Sequence, residues 1–330
     1  MPLVSVILAA YNAEGYLREA VASILTQTFT DFEFIIIDDG STDRTKSIIE
    51  SFNDPRIKLI SRPNKGLTPS LNEALHLAAG EFIARMDADD LSTPERLAAQ
   101  VEYLNHHPDV VLLGGAYDLI DAAGRYLTTI TPPDDDATLQ EHALSGRTPI
   151  CHPLAMMRRD AVLKVGGYDE TFKVAQDLDL WLKLGEVGKL AAVKDVLLQY
   201  RQHEESVSEK KQELQVANMR RACEAAYARR GIQQTFRGDS GWRATSGRES
   251  KFKYALQYGW WAFNSGQRKT AMVYGWKAIC AVPSKLEGWK LLACAMVKRL
   301  SPSPPGGRLS PSPARERAGV REDSYGERAD

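Results

Sequence analysis

The sequence predicts an α/β fold whose mostly parallel sheet carries helices on both faces. Two observations point to this fold class. Short apolar segments alternate with amphipathic segments through the first hundred residues, and several of the apolar segments end in polar residues. Ligands in such sheets bind beyond the carboxyl ends of the strands. The 330 residues are 43% hydrophobic and 26% charged, which is enough to bury a sizeable core.

The predicted strands of the first hundred residues are short and almost wholly apolar, as is typical of strands buried on both faces. They are residues 4–10, 32–37, 57–60 and 82–86. The intervening segments place apolar residues at helical spacing, as Leu17 and Val21 do in a helix expected from about Glu14. Thr42 or Ser41 is expected to cap the second helix.

Less regular elements are predicted after the fourth strand. Ser92-Thr93-Pro94-Glu95 is expected to open a helix, with Pro in its first turn. Further strands are predicted at residues 110–115 and 154–157, and further helices at 159–165 and 209–231. Residues 131–149 are polar and contain several Pro, Asp and Gly, so we expect a loop over the site there.

Three carboxylates follow the fourth strand, in the sequence Met-Asp-Ala-Asp-Asp at residues 86–90. On an extended chain Asp87 and Asp89 point the same way. Like charges held together are costly without a cation or hydrogen-bond donors. Oxygen ligands of this kind suit Mg²⁺ or Mn²⁺, which also bind phosphate oxygens. These residues alone leave two interpretations open: a divalent metal site that grips a diphosphate, or a solvated acidic loop that caps the next helix.

Composition and absent motifs exclude several functional classes. The 42 basic and 43 acidic residues leave a net charge of -1, so nucleic acid is not an expected partner. Neither a Gly-x-Gly-x-x-Gly turn nor a phosphate-binding Gly-x-x-x-x-Gly-Lys-Ser/Thr loop follows the first strand, which argues against a dinucleotide dehydrogenase and a nucleoside triphosphatase. Scattered cysteines and the lack of an expected signal peptide or spanning helix favour the cytoplasm, with the inner face of the membrane as a further location.

Four motifs in order between residue 3 and about residue 105 carry a resemblance to a known family. They are Val-Ser-Val-Ile-Leu-Ala-Ala-Tyr-Asn at 4–12, Ile-Ile-Ile-Asp-Asp-Gly-Ser-Thr-Asp at 35–43, Asn-Lys-Gly-Leu at 64–67 and Met-Asp-Ala-Asp-Asp at 86–90. This order resembles the nucleotide-binding half of family 2 glycosyltransferases, which are inverting enzymes with the GT-A fold. The resemblance implies a nucleotide-diphospho-sugar donor, a glycan or lipid-linked sugar acceptor, and Mn²⁺ or Mg²⁺ as cofactor.

The resemblance also implies roles for residues at the strand ends. Ala10, Tyr11 and Asp39 match positions that hold the donor nucleotide, and a carboxylate at Asp39 could accept an N–H from uracil or guanine. Asp87 matches the residue near the ribose, and Asp89 matches the metal ligand. A turn with a helix cap is the alternative for Asp38 and Asp39. Lys65 stays outside the predicted site as a solvated residue of a turn. Arg85 is left open between a role in the site and that of a structural partner for a carboxylate.

Two later segments complete the predicted site. Ala-Gln-Asp-Leu-Asp-Leu-Trp at 175–181 places Asp177 at a helix start, where the helix dipole favours its ionised form. The family usually has Glu-Asp there, with the Asp as catalytic base, so Gln176 is a departure; an ordinary helix cap is the alternative. Tyr-Arg-Gln-His-Glu-Glu-Ser at 200–206 resembles the family's Tyr-Arg-x-His-x-x-Ser segment. It implies that Arg201 offsets phosphate charge and that His203 reaches the metal, whereas a solvated loop histidine is the alternative. Tyr168 either lines the acceptor pocket or is buried.

The predicted organisation has four parts. Residues 1–105 form the nucleotide-sugar-binding half and residues 106–231 the acceptor-binding and catalytic half of one domain. Residues 232–300 form a helical extension, and residues 301–330, rich in Gly, Pro, Arg and Glu, form a disordered tail. Aromatic and basic residues in 251–300 allow either peripheral contact with a membrane or a helical lid on the core, of which we prefer the lid.

The predicted function is that of an inverting, metal-dependent glycosyltransferase in cell-surface polysaccharide or lipopolysaccharide biosynthesis. One alternative is a nucleotide-sugar-binding protein that has lost catalysis, for which Gln176 is the only hint. Another is a nucleotidyltransferase on a similar fold. That enzyme would need a Gly-rich loop bearing Arg or Lys after the first strand, and residues 9–15 lack it.

Overall fold

Strands and helices alternate through the amino-terminal part of the chain, as the apolar pattern predicts. The computed structural model describes residues 1–203, 212–236 and 247–297. Its strands are β1 (Val4–Ala10), β2 (Phe32–Asp38), β3 (Ile57–Ser61), β4 (Phe82–Met86), β5 (Leu91–Ser92), β6 (Val110–Asp121), β7 (Tyr126–Ile130), β8 (Met156–Arg158) and β9 (Lys189–Gln202). Ser206, residues 237–246 of the predicted helical extension and the tail at 301–330 lie outside the described residues.

The helices follow the strands in the order expected for a layered α/β fold. They are α1 (Leu17–Leu25), α2 (Thr45–Glu50), α3 (Leu67–Leu77), α4 (Arg96–His106), α5 (Asp136–Leu144), α6 (Arg159–Lys164), α7 (Gln176–Leu184), α8 (Gln212–Arg230), α9 (Arg248–Asn264), α10 (Arg268–Ala281) and α11 (Leu286–Met296). Within the described ranges, no helix is both long enough and apolar enough to span a membrane.

All described strands belong to one sheet, which confirms the predicted fold class. The order is β3-β2-β1-β4-β8-β6-β9-β5, with β7 paired to β6. Strands β1 to β4 are parallel where they pair, β8 inserts antiparallel between β4 and β6, and β6 and β9 are again parallel. The carboxyl ends of β1, β2 and β4 therefore meet at one edge of the sheet.

The core lies on both faces of the sheet, so the helices cover it from two sides. One apolar cluster joins β1 and β4 to α1 and α4 through Leu17, Val21 and Leu97. The other joins the opposite face to α3 and α7 through Leu71 and Trp181. Both clusters are almost free of solvent, and hydrophobic burial on both faces is what stabilises a sheet of this kind.

Three local predictions are wrong. Residues 131–149, predicted as a loop, contain α5, because Asp135 caps it by accepting the Thr138 N–H at 2.8 Å and Leu139 is buried. Helix α2 begins at Thr45 without a cap from Thr42 or Ser41; instead, the Thr45 N–H donates to Asp43 at 2.9 Å. Ser92 pairs in β5, and α4 begins only at Arg96.

The helical extension packs on the core, as the preferred interpretation predicts. Helices α9, α10 and α11 share an apolar cluster with Leu119 and Leu127 of the β6–β7 hairpin. Two tyrosine hydroxyls tie the extension to the sheet: Tyr258 donates to Gln202 Oε1 at 2.9 Å, and Tyr274 donates to Asp121 Oδ2 at 3.0 Å.

Candidate active site

The turn at the end of β2, residues 38–41, is acidic, but its carboxylates already accept hydrogen bonds from protein donors. Asp38 accepts hydrogen bonds from the Ser41 N–H and the Ser61 hydroxyl. Asp39 is 3% exposed and accepts from the Lys65 and Gly66 N–H groups at 2.8 and 2.9 Å, and it also pairs with Arg62. Of the four lone-pair positions on its carboxylate, one is left on Oδ2. We call this turn the β2 turn.

Ala10, Tyr11 and Asp39 lie together at the carboxyl ends of β1 and β2. The Asp39 N–H donates to the Ala10 carbonyl at 2.8 Å, so the two strand ends are fixed to each other. Ala10 is buried, whereas Tyr11 is 54% exposed. An exposed aromatic ring beside a polar turn offers a surface on which a base can stack.

The turn after β4, residues 87–90, differs in how its carboxylates are paired. Asp87, Asp89 and Asp90 each place an oxygen within 4.8 Å of the others. Asp87 pairs with Arg85, which is 2% exposed. Asp90 is fully buried, and its Oδ2 has no hydrogen-bond partner among the described residues. We call this turn the β4 turn.

The electrostatics of the β4 turn follow from burial and mutual repulsion. Burial raises the pKa of Asp87; Arg85 opposes the rise, and Asp89 and Asp177 add to it. Burial likewise raises the pKa of Asp90 well above its usual range, and Asp89 and Asp87 contribute. Such perturbed carboxyl groups in a cleft are typical of functional sites.

His203 and Arg201 reach the β4 turn from the end of β9. His203 Nε2 lies 2.8 Å from Asp89 Oδ2, so His203 contacts the carboxylate cluster through Asp89. Arg201 is 3% exposed: its N–H donates to Asp90 Oδ1, its Nε to the Asp89 carbonyl, and its Nη2 to Glu19. The Arg201 guanidinium therefore ties the β4 turn to Glu19 of α1, with Nε and Nη2 both donating to protein acceptors. Its contact with a phosphate stays a prediction.

The β4 turn fits a divalent cation. Carboxylate oxygens are the ligands that Mg²⁺ and Mn²⁺ take in proteins, and three carboxylates are clustered here. The buried Asp90 Oδ2 is an acceptor without a donor, and a cation nearby would offset the charge that burial disfavours. Among the described residues, this is the one cluster of metal-ligating side chains.

Asp177 lines a cleft of about 390 Å³ together with Asp87 and Asp89 of the β4 turn, and we call this the acidic cleft. Its lining includes Arg85, Asp87, Asp89, His152 and Asp177. Asp177 lies in the first turn of α7, which begins after Ala175, a residue in the left-handed region with φ of 59°. The structure thus brings Asp87, Asp89 and Asp177 together, whereas Ala10, Tyr11, Asp39, Arg201 and His203 lie outside the cleft lining.

Three polar residues, which we call the cleft floor, fall outside the site predicted from the sequence: Arg85 and His152 line the acidic cleft, and Tyr168 contacts His152. Arg85 is not among the predicted site residues, and the sequence leaves the role of Tyr168 open. His152 belongs to none of the sequence motifs. Tyr168 is 2% exposed, and its hydroxyl lies 2.8 Å from His152 Nε2. Burial lowers the pKa of His152 well below its usual range, and the Arg85 cation adds to this. A cation within an apolar strand was the one sequence signal that could have marked Arg85.

Comparison with a family model and with named proteins agrees with the sequence motifs. The model described as Glycosyl transferase family 2 matches residues 5–166. A protein of Bacillus subtilis (strain 168) named "Putative glycosyltransferase EpsE" is 38% identical over 193 residues, or 57% of this chain and 68% of EpsE. Chondroitin synthase of Escherichia coli is 30% identical over 236 residues, or 71% of this chain but 34% of that protein.

Solved structures share the fold at low sequence identity. S. aureus TarS 1–349, in complex with UDP-GlcNAc, has a TM-score of 0.54 and 19% identity, covering 89% of this chain and 79% of that one. Mannosyltransferase PcManGT from Pyrobaculum calidifontis, in complex with GDP-Man and Mn²⁺, has a TM-score of 0.52 and 18% identity, covering 88% and 79%. This likeness establishes the fold alone.

Proposed function

This chain belongs to glycosyl transferase family 2, and from this membership and the acidic cleft we propose that it transfers a sugar from a nucleotide-diphospho-sugar to an acceptor hydroxyl with inversion at the anomeric carbon. One observation carries the proposal: Asp177 and two carboxylates of the β4 turn, Asp87 and Asp89, line the same cleft. A proton acceptor and a cation-binding group then face each other across the space for one sugar.

In this proposal Asp89 and its neighbours in the β4 turn hold Mn²⁺ or Mg²⁺, with His203 oriented against Asp89. When bound, such an ion supplies positive charge that stabilises the departing diphosphate. Asp87 lies beside the donor ribose, and Tyr11 and Asp39 hold the base with Ala10. Arg201 keeps the β4 turn in place and contributes positive charge near the phosphates.

Asp177 is the proposed catalytic base. Its carboxylate takes the proton of the acceptor hydroxyl as that oxygen attacks the anomeric carbon from the face opposite the diphosphate. A single displacement of this kind inverts the configuration and needs no covalent sugar–enzyme intermediate. Gln176 beside it is 8% exposed and uncharged, so it adds no repulsion to the ionised base.

We further propose that the acceptor is a glycan or lipid-linked sugar of cell-surface polysaccharide or lipopolysaccharide assembly. The name of chondroitin synthase, one of the relatives, supports a polymer or its precursor. The proposed division of labour gives residues 1–105 to the donor and residues 106–231 to the acceptor and base. A sugar-binding protein without catalysis remains the alternative, and retained Asp89, Asp177 and His203 argue against it.

The test is a panel of nucleotide-sugars, including UDP-GlcNAc, UDP-glucose and GDP-mannose, with the full chain and Mn²⁺, Mg²⁺ or EDTA. Release of nucleoside diphosphate and transfer to oligosaccharide acceptors are measured. We expect one donor class to react, EDTA to abolish turnover, and NMR to find the product anomer inverted. Tight binding of a nucleotide-sugar without any turnover would support the non-catalytic alternative, and a retained anomer would exclude the mechanism.

A second proposal concerns the helical extension, which we expect to contact an anionic membrane surface. Residues 248–297 contain eight lysines and arginines against two glutamates, although the whole chain has a net charge of -1. Trp276, Trp289 and Leu286 are exposed on α10 and α11. Tryptophan beside lysine is the composition of helices that lie in a lipid interface. Such contact would bring a cytoplasmic enzyme to the inner face of the membrane.

Liposome flotation of the full chain tests the membrane proposal. We expect binding to vesicles that contain phosphatidylglycerol, weaker binding to phosphatidylcholine vesicles, and loss of binding in Trp276→Ala/Trp289→Ala. Trp181→Phe, a core variant, is the control for general destabilisation. Equal flotation of the double variant, or self-association that the double variant abolishes, would contradict lipid contact.

A further inference from the structure

The acidic cleft is lined by Arg85 and His152, each of which carries a hydrogen-bond donor for which no acceptor is found among the described residues. Arg85 is 2% exposed, and its Nε has no hydrogen-bond partner among the described residues. Its charge is already balanced by its ion pair with Asp87. What Arg85 lacks is therefore an acceptor atom and not a second anion. A buried donor left without an acceptor costs stability, so a bound group that supplies one is favoured.

His152 provides the second donor through its hydrogen bond with Tyr168. Burial raises the pKa of Tyr168, so the hydroxyl keeps its proton. The described chain offers that proton one acceptor, His152 Nε2, at 2.8 Å. When the Tyr168 hydroxyl donates to Nε2, the neutral His152 ring carries its proton on Nδ1. No protein partner of Nδ1 is found in the described residues, and His152 lines the acidic cleft.

We propose that Arg85 and His152 recognise a hydroxyl of the transferred sugar, with Tyr168 fixing the orientation of the His152 proton. The hydroxyl oxygen accepts hydrogen bonds from Arg85 and His152 and donates its own proton to Asp87. Donors on one side and a carboxylate on the other are complementary to a hydroxyl. They are less suited to a carboxylate, which would meet Asp87, Asp89 and Asp177 nearby.

This inference rests on the proposed transferase function and adds the part of the site that selects the sugar. Arg85 and His152 are specificity-determining residues, whereas Tyr168 is a positioning residue that acts through His152. The base of the nucleotide is held elsewhere, at the ends of β1 and β2, and Arg85→Lys keeps the positive charge that pairs with Asp87. Loss of the floor should therefore weaken donor selection while leaving the affinity for free nucleoside diphosphate unchanged.

The experiment compares Arg85→Lys, His152→Ala and Tyr168→Phe with wild type, using full-length protein and Mn²⁺. Calorimetry gives the Kd of free UDP or GDP, whichever the panel selects, and kinetics give kcat/KM for two donors epimeric at one hydroxyl. We expect kcat/KM for the preferred donor to fall about 10-fold for each lost hydrogen bond, and the preference between epimers to shrink. The Kd of the free nucleotide should not change.

Tyr227→Phe is the matched control for Tyr168→Phe. Tyr227 is also a buried tyrosine; its hydroxyl donates to the Leu144 carbonyl at 2.6 Å, outside the acidic cleft. The Tyr227→Phe variant should be less stable than wild type and should keep the wild-type preference between epimeric donors. Parallel loss of free-nucleotide and donor affinity in the three floor variants would show a merely structural role and overturn the inference. So would exclusive use of a nucleotide-uronic acid.

The two proposals fail in different ways. If no donor of the panel reacts, the transferase function itself is wrong. If transfer occurs and the floor variants keep wild-type epimer preference, only the recognition of the sugar hydroxyl is wrong.

Discussion

The β2 turn and the β4 turn are two acidic turns at the same edge of the sheet, and they differ in what surrounds their carboxylates. Asp38 and Asp39 accept hydrogen bonds from backbone N–H groups, Ser61 and Arg62. In the β4 turn, Asp90 Oδ2 lacks a partner and burial raises the pKa of both Asp87 and Asp90. The first turn is complete as folded, and the second is complete only with a ligand.

This difference separates carboxylates that the protein itself satisfies from carboxylates that need a ligand, although the two kinds look alike in the sequence. Buried polar groups in folded proteins are nearly always satisfied, so an unsatisfied cluster marks a place where stability is given up for function. The β2 turn can still shape the nucleotide site, but chiefly by holding Tyr11 and the strand ends in place. The β4 turn and the facing Asp177 are where ligand binding must change the electrostatics.

The largest effect is expected for Asp177, which faces the open turn. Asp177→Asn should lower kcat roughly 10²–10⁴-fold because the acceptor hydroxyl loses its base, while calorimetric affinity for the nucleotide stays the same. Steady-state transfer assays at saturating donor measure this. Asp179→Asn is the control on the same helix, because Asp179 is buried and pairs with Lys183 at 2.6 Å. It should lose stability and keep kcat.

Full turnover in Asp177→Asn would show that another residue is the base and that Asp177 is only a residue at a helix start. A matching loss of kcat in Asp179→Asn would mean that α7 as a whole, and not one carboxylate, determines turnover.

The next prediction compares how substitution of Asp39 and of Asp89 changes the free energy of unfolding. Asp39→Asn removes a buried charge that Arg62 and two N–H groups depend on, so the free energy of unfolding should fall by about 3 kcal/mol. Asp89→Asn relieves repulsion within the β4 turn and should leave the stability of the metal-free protein unchanged or raise it. Denaturant unfolding in EDTA measures both variants.

Adding Mn²⁺ gives a second comparison of Asp39→Asn with Asp89→Asn. The melting temperatures of wild type and Asp39→Asn should rise with Mn²⁺, because a ligand that binds the native state stabilises it, whereas that of Asp89→Asn should not. A strongly destabilised Asp89→Asn in EDTA would show that the β4 turn is satisfied by the protein alone, contrary to the proposed difference between the turns.

The sequence predicted the parts of the fold whose signals are local. The first four strands are continuous apolar runs, and their ends carry the motifs of the donor site. Strand β9 and helix α5 were not predicted, because β9 gains its stability by pairing with the distant β6 and α5 by burying Leu139 against the sheet. Such tertiary contacts have no local pattern.

In the candidate site, too, the residues marked by local motifs could be predicted and those defined by distant contacts could not. Asp87, Asp89 and Asp177 could be chosen from the sequence because motifs mark them, and the structure brings them to one cleft. That Arg201 is occupied by Glu19 and the Asp89 carbonyl could not be predicted, since those partners come from other elements. His152 was missed because a single histidine in a loop carries no pattern; its hydrogen bond with Tyr168 is what distinguishes it.

The smallest effect is expected at Asp121, a third acidic position that is satisfied like the β2 turn. Its carboxylate accepts hydrogen bonds from the Ala123 and Arg125 N–H groups, from Arg125 Nε and from the Tyr274 hydroxyl of α10. Burial alone would raise the pKa of Asp121, but the bonds from Arg125 and Tyr274 outweigh it and lower the pKa. The native state therefore holds this proton less tightly than the unfolded chain does.

The pH dependence of stability follows from this sign. A carboxylate with a lowered native pKa contributes stability above its unfolded pKa of about 3.9, and the contribution is lost as pH falls through the lower native value. Asp121→Asn should lower the melting temperature at pH 6, and the difference from wild type should shrink as pH is lowered below 4. Thermal unfolding followed by tryptophan fluorescence measures this, since α9 and α10 carry Trp260, Trp261 and Trp276. A difference that stays constant down to pH 2 would mean that packing of the extension, and not the charge on Asp121, holds it to the β6–β7 hairpin.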